Sequence, residues 1–347
     1  MQERPHLGYV DGLRAIAVLS VLVFHGFLGD GQTLPQRVLC YSRGVDLFFV
    51  ISGFCLAFPF LARPGRLKLD KAIYGRFLLR RLSRIAPPYY VALCAFAILG
   101  MTAFGFPSAD HPAAGLGFSV HAAREFLADA VFLIPRVPLH NIAFWTLGIE
   151  ARWYLLCPLL IALYVRSKWS FFGLAGILYG VYFFTPYGVA DMGTLPCFMA
   201  GIVAADVVLR RQAWRRYAWI AAAAALGLGI WTSSGDHGDP IWHLAGFFLV
   251  VGGSVGPLNR ILRWKPLLAT GVCSYSIYLY HAPFVIWFEH NGVVPPLALA
   301  WALCIGFVAW ALAERHLADD QFRRNLESRL AAPFQPARPQ TTAPEAA

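Results

Sequence analysis

The stretch "YVDGLRAIAVLSVLVFHG", residues 9–26, is apolar enough to cross a membrane yet carries Asp11, Arg14 and His25. At ~100° per residue, the eleven positions from Arg14 to His25 return to within about 20° of one face, and at ~1.5 Å per residue they stand roughly 16 Å apart. Asp11 falls close to the same face. The segment therefore reads as a spanning helix with a polar stripe, one end near one membrane surface and the other approaching the opposite one. Asp11 and Arg14 interrupt the start of the apolar run and no small-x-small cleavage site follows. It is expected to remain as a permanent span rather than a leader.

The rest of the chain supports that reading. Its 347 residues are 58% hydrophobic, 15% aromatic and only 14% charged, which excludes an ordinary soluble enzyme and points to an all-α polytopic membrane bundle. The net charge of +10 reports topology in such a protein, and no nucleic-acid partner is expected. The seven cysteines show no CxxC spacing and nearly all fall in apolar runs, as packing residues do.

Apolar runs of about 20 residues, the length that crosses a bilayer, occur near 10–29, 44–62, 85–106, 143–164, 170–187, 192–209, 217–233, 241–258, 267–289 and 295–313. Ten spans put both termini on one side. With the N-terminus cytoplasmic, the inner segments hold the basic run from Arg63 to Arg84, then Arg166 and Lys168, the Arg210–Arg216 group, Arg260, Arg263 and Lys265, and the arginines from Arg315 onward. The outer side holds only Arg37, Arg43, Arg124 and Arg136, an asymmetry that follows the positive-inside rule. Residues 1–314 form the expected membrane domain, with a short amphipathic helix near 121–134 in the long outer loop. Residues 315–347 turn polar and then Pro- and Ala-rich, as a disordered cytoplasmic tail does.

In this topology four ionisable groups reach similar depths toward the outer side: His25 on span 1, Asp46 opening span 2, Glu150 on span 4 and His281 on span 9. Arg14 lies lower, toward the cytoplasmic Arg80, Arg81 and Arg84. A buried charge costs on the order of 2.5–3.5 kcal/mol on insertion scales and usually faces a protein-lined cavity. Each residue also has a plainer role open to it. His25 and His281 could be hydrogen-bonded core histidines, Asp46 could serve the N-terminus of its helix, and the arginines could be inner-surface anchors.

A histidine beside a carboxylate is the usual general base, here one that removes a proton from a hydroxyl attacking an acyl carbon. No metal is expected, since neither an HExxH nor a paired-cysteine pattern occurs, and no GxSxG elbow marks a serine hydrolase. Arginines suit phosphates through charge-assisted, bidentate hydrogen bonds. Phosphate binding inside and a base near the outside suggest group transfer across the membrane. A transporter using the same buried charges as a relay is the alternative.

Five segments in order, "YVDGLRAIAVLSVLVFHG", "RGVDLFFVISGF", "RRLSRIAPPYY", "FWTLGIEARWYLLCPLL" and "SYSIYLYHAPF", resemble the signatures of acyltransferase family 3, bacterial membrane O-acyltransferases that modify surface polysaccharides and other glycosylated molecules. The resemblance implies about ten spans in the bacterial inner membrane, acyl-CoA (usually acetyl-CoA) as donor and a sugar or glycoconjugate hydroxyl as acceptor. By resemblance, Arg14 and His25 match the paired signature of the first span, Arg81 and Arg84 the donor-side element, and Asp46 and Glu150 the motif acids. His25, Glu150 and Asp46 are thus the catalytic candidates and Arg14, Arg81 and Arg84 the donor-binding ones, with Arg80 added to them as a neighbouring guanidinium. His281 and Trp145 are placed with the acceptor. The family often has a second acid directly after the span-4 glutamate; this chain has Ala151 there. The extracytoplasmic esterase-like domain that some members carry is not expected here.

Overall fold

Hydrocarbon offers no water to pair a backbone amide, so an apolar chain must close its hydrogen bonds within each segment. The computed structural model describes residues 7–26, 43–63, 71–101, 120–134, 141–184, 190–232, 239–317 and 319–331, and among them it contains helices and no strand. In chain order the helices are α1 (Gly8–Gly26), α2 (Gly44–Leu61), α3 (Lys71–Met101), α4 (Val120–Ala130), α5 (Trp145–Arg166), α6 (Lys168–Phe184), α7 (Ala190–Leu209), α8 (Ala218–Thr232), α9 (Pro240–Gly253), α10 (Gly256–Leu262), α11 (Lys265–Val272), α12 (Ser274–His290), α13 (Pro295–Ala309) and α14 (Asp320–Ala331).

Six of these segments are long and apolar enough to cross a membrane: Gly8–Gly26, Gly44–Leu61, Ile73–Leu99, Ile142–Arg166, Met192–Leu209 and Pro295–Leu317. The expected spans at 170–187 and 217–233 are present as helices of 17 and 15 residues, shorter than a typical crossing. The span expected at 241–258 is broken: α9 and α10 meet at a bend of 90°, with Gly256 at φ +76°. A left-handed turn of this kind suits glycine, which carries no Cβ to clash. The span expected at 267–289 is divided at Cys273 between α11 and α12. The third span starts earlier than its hydropathy suggests. Arg80, Arg81 and Arg84 lie on α3 itself rather than in a loop before it.

Helix α1 runs through the middle of the bundle, where Leu13, Ala15, Ala17 and Val18 are fully buried and α2, α11 and α12 pack around it. Small residues let the backbones meet. A Cβ on Gly271 would collide with the Asp11 carbonyl, and one on Gly12 with the carbonyl of Leu262. The tightest seam joins α2 to α7. There a Cβ on Gly53 would strike the Phe198 carbonyl, and one on Gly201 the Val50 carbonyl. Without a hydrophobic drive between helices in lipid, such close approach supplies the dispersion contacts that hold the pair.

The expectation of a disordered tail from residue 315 is corrected over residues 320–331, which form α14; the residues from 332 lie outside those described. The sequence "DQFRRNLESRLA" alternates polar and apolar positions at helical spacing, so α14 can lay one side on α3. Ser83 Oγ donates to Glu327 Oε1 at 2.9 Å. Ser83→Ala is expected to change overall stability by less than about 1.5 kcal/mol while speeding amide exchange across residues 320–331. Unchanged exchange there would show that this bond does not hold the helix down.

Candidate active site

Arg14 lies in the second turn of α1 and reaches outward from it. Its Nη1 donates to Asp11 Oδ1 at 2.8 Å, and its Nη2 points to Cys55 Sγ of α2 at 3.6 Å. Arg84 and Arg81 come in from α3. Arg84 interacts electrostatically with Arg14, Arg81, Tyr154 and Cys55, while Arg81 lies 5.8 Å from the centre of the Phe77 ring. Among the described residues, neither Arg81 nor Arg84 has a carboxylate within 4.0 Å, so the three guanidiniums share only the Asp11 ion pair. The next turn of α3 holds Pro87 and Pro88, which leave the Ser83 and Arg84 carbonyls without their usual i+4 amide donors. Arg80 and Arg84 are both exposed, but only Arg84 interacts with Arg14 and Arg81; among the described residues no hydrogen bond or ion pair joins the Arg80 side chain to the group.

Glu150 of α5 comes next. It accepts from Ser52 Oγ at 3.0 Å and from Tyr154 OH at 2.5 Å. One turn separates Glu150 from Tyr154, so one face of α5 presents both, and Tyr154 is the group that interacts with Arg81 and Arg84. On the far side Glu150 is felt by Tyr278 of α12. The Tyr278 hydroxyl donates to the Ala143 carbonyl at 3.0 Å and is bonded to Thr146 Oγ at 2.6 Å. Its ring centroid is 5.5 Å from that of His281, which in turn lies 4.9 Å from His25. A file of polar groups thus leads from Arg14, Arg81 and Arg84 through Tyr154, Glu150 and Tyr278 to the two histidines, in contact at Tyr154–Glu150 and at Tyr278–His281–His25 and linked electrostatically elsewhere. His25 and His281 lie on different helices and meet in the outer part of the bundle as it was read from the sequence.

The expectation that Asp46 or Glu150 holds the His25 ring is corrected. His25 Nδ1 is 3.0 Å from the Val21 carbonyl and 3.3 Å from His281 Nε2, and among the described residues no carboxylate is bonded to the ring. The cause is helical phase. His25 is on the face of α1 turned to α12, whereas the Asp46 carboxylate pairs with Arg43 at 3.7 Å and interacts with Tyr179 and Cys197 on the side of α6 and α7. Asp46 also sits in the first turn of α2, where an acid favours the positive end of the helix. Trp145 opens α5, half-buried against the core.

A family model described as an acyltransferase domain matches residues 7–313. The chain belongs to that acyltransferase family. Membership supports acyl transfer over the transporter reading. Among relatives, O-acetyltransferase OatA of Staphylococcus aureus is 26% identical over 338 residues, covering 82% of this chain and 52% of the relative. A membrane-bound transacylase, BcsY of Komagataeibacter xylinus, is 26% identical over 358 residues, covering 92% and 85%. Peptidoglycan O-acetyltransferase OatA of Listeria monocytogenes is 24% identical over 334 residues, covering 82% and 50%. The chain spans about half the length of the OatA relatives it matches. No solved structure matches it.

The acyltransferase bundle also places in this file residues that the sequence did not single out. Tyr154 and Ser52 hold Glu150, and Tyr278 separates Glu150 from the histidines. Glu314 ends a π-helical turn, Trp310–Glu314, and accepts from both the backbone N–H and the Oγ of Ser276. It interacts electrostatically with Arg84 and Arg14. A lone glutamate at the end of an apolar run, next to Arg315, reads as a boundary charge; only the bonded Ser276 reveals it as an inward one. Among the described residues, no group of three or more His, Cys, Asp or Glu side chains is placed to hold a metal ion.

Proposed function

We propose that the protein is a bacterial inner-membrane O-acyltransferase, with ten membrane crossings and both termini cytoplasmic. It takes an acyl group, acetyl in the simplest case, from cytoplasmic acyl-CoA and passes it to a hydroxyl of a sugar or glycoconjugate at the periplasmic face. The observation that carries this reading is the polar file joining three guanidiniums to a histidine pair through an otherwise apolar bundle. The relatives' names, O-acetyltransferase and transacylase, agree with it. The arginine asymmetry supports the orientation.

In this reading Arg14, Arg81 and Arg84 bind the phosphates of the donor. Arg81 and Arg84 suit that task because neither is neutralised by a neighbouring carboxylate. The His25 ring accepts the proton of the acceptor hydroxyl as its oxygen attacks the thioester carbon. The C–S bond breaks, the CoA thiolate leaves, and the proton passes from His25 to that thiolate or to solvent. Glu150, bonded to Ser52 and Tyr154, stands between donor site and base and keeps the file polar.

Arg84→Ala is expected to raise KM for acetyl-CoA about 10–100-fold, the worth of one lost charge-assisted hydrogen bond, with little change in kcat. Arg80→Ala should leave both close to the unsubstituted values. Acceptor-dependent release of CoA thiol, measured in membranes over a range of acetyl-CoA, reads both. Equal effects of the two substitutions would overturn the donor site drawn here. Mass spectra of surface glycans from cells with and without active protein test the acceptor class; identical spectra would remove it.

A further inference from the structure

The two histidines carry more than proximity. A carbonyl oxygen can only accept, so each backbone contact fixes a proton. His281 Nδ1 lies 2.7 Å from the Tyr278 carbonyl and must therefore carry the hydrogen, leaving the lone pair of its neutral ring on Nε2. His25 Nδ1 lies 3.0 Å from the Val21 carbonyl and must likewise be a donor. The 3.3 Å contact between His25 Nδ1 and His281 Nε2 is then a donor facing an acceptor, the second arm of a forked bond. The remaining lone pair of the set is on His25 Nε2, to which no described residue is hydrogen-bonded.

We infer that His281 is the positioning residue of His25: a neutral imidazole, anchored on the Tyr278 carbonyl, takes the place of the carboxylate that usually orients a catalytic histidine. The inference deepens the acyl-transfer reading and rests on it. The pair fixes His25 in the tautomer whose Nε2 can receive a proton. When it does, His25 becomes an imidazolium and its Nδ1–H bonds to Val21 and His281 become charge-assisted, which strengthens them. His281 is fully buried, and the Phe24 ring stands edge-to-face with His25 at 5.2 Å, so the ring is bracketed between Phe24 and His281. A protonated His281 would set two N–H groups against each other. The arrangement works only while His281 stays neutral, as its burial favours.

The decisive substitutions are His281→Phe, which keeps a ring and removes the acceptor, and His281→Gln, whose amide oxygen can take the place of Nε2. His281→Phe is expected to lower kcat about 10–100-fold with KM for acetyl-CoA unchanged, and His281→Gln to restore most of the loss. Nitrogen-15 solid-state NMR of histidine-labelled protein in bilayers reads the tautomer directly. In the unsubstituted protein His25 should be protonated on Nδ1 alone; in His281→Phe the Val21 carbonyl still holds that hydrogen, and the Nδ1 resonance should shift as the second arm of the forked bond is lost. An unsubstituted His25 protonated on Nε2 would overturn the inference, as would full kcat in His281→Phe. If His281→Phe does not fold, the wild-type spectrum and His281→Gln still decide. Full activity of His25→Gln would instead sink the acyl-transfer role of His25 while leaving the tautomer result standing, so the two failures can be told apart.

Discussion

His25→Gln is expected to lower acyl transfer about 10²–10⁴-fold, the usual worth of a positioned general base, while acetyl-CoA still binds with nearly unchanged affinity. Glutamine is close in length to histidine and retains polar atoms, so α1 should keep its place against α12. What it lacks is a nitrogen that can accept a proton and hold it through the transition state. The donor site is several turns away on the same helix and on α3, which is why binding should survive. Equilibrium binding of labelled acetyl-CoA and single-turnover transfer, measured on the same membranes, separate the two effects. Substantial transfer by His25→Gln would remove the histidine from the chemistry.

Gly201→Val is expected to cost the fold about 3 kcal/mol, the upper end for overpacking, because the obstructing atoms are backbone. A Cβ at this position would meet the Val50 carbonyl, with the Phe54 amide nitrogen and Gly53 close behind. These are backbone atoms of α2, so no side chain can swing aside, and the two helices would have to part along the whole seam. Separation of α2 would carry Ser52 and Cys55 away from Glu150 and Arg14, disturbing the site from behind. Gly176→Val is the control, since a Cβ at Gly176 meets nothing within 4 Å. Thermal unfolding in detergent should show a large drop for Gly201→Val and almost none for Gly176→Val. Similar midpoints would mean that the α2–α7 contact is looser than drawn.

Much of the helical architecture was legible because a spanning helix is written in a long apolar run, and the segments at Gly8–Gly26, Gly44–Leu61 and Met192–Leu209 follow theirs to within a few residues. The broken pieces were not, because the same hydropathy serves a straight helix and a bent one. Only the 90° corner at Ser254 and Val255 distinguishes α9 and α10 from a single rod. Hydropathy also misled at α3, where the basic residues that end an apolar window still lie on the helix. In the site, Arg14 and His25 were visible because charged groups are rare in hydrocarbon. Their partners depend on how helices turn about their axes, which one strand of sequence does not state. Asp46 and Glu150 lie on faces that do not touch His25, and His281, expected with the acceptor, proves to be its neighbour.

The single π-helical turn at Trp310–Glu314 inserts one residue beyond the ordinary count before the chain resumes its α-helical course. A wider turn of this kind takes up the extra residue locally, so the helix beyond it keeps its phase. Deleting one residue in a regular stretch of the same helix would rotate everything after it by about 100°, whereas deleting Ala311 or Leu312 would let the turn close as ordinary α-helix. Glu314 would then stay on Ser276. Shortening by one should thus be far better tolerated inside this turn than a turn earlier.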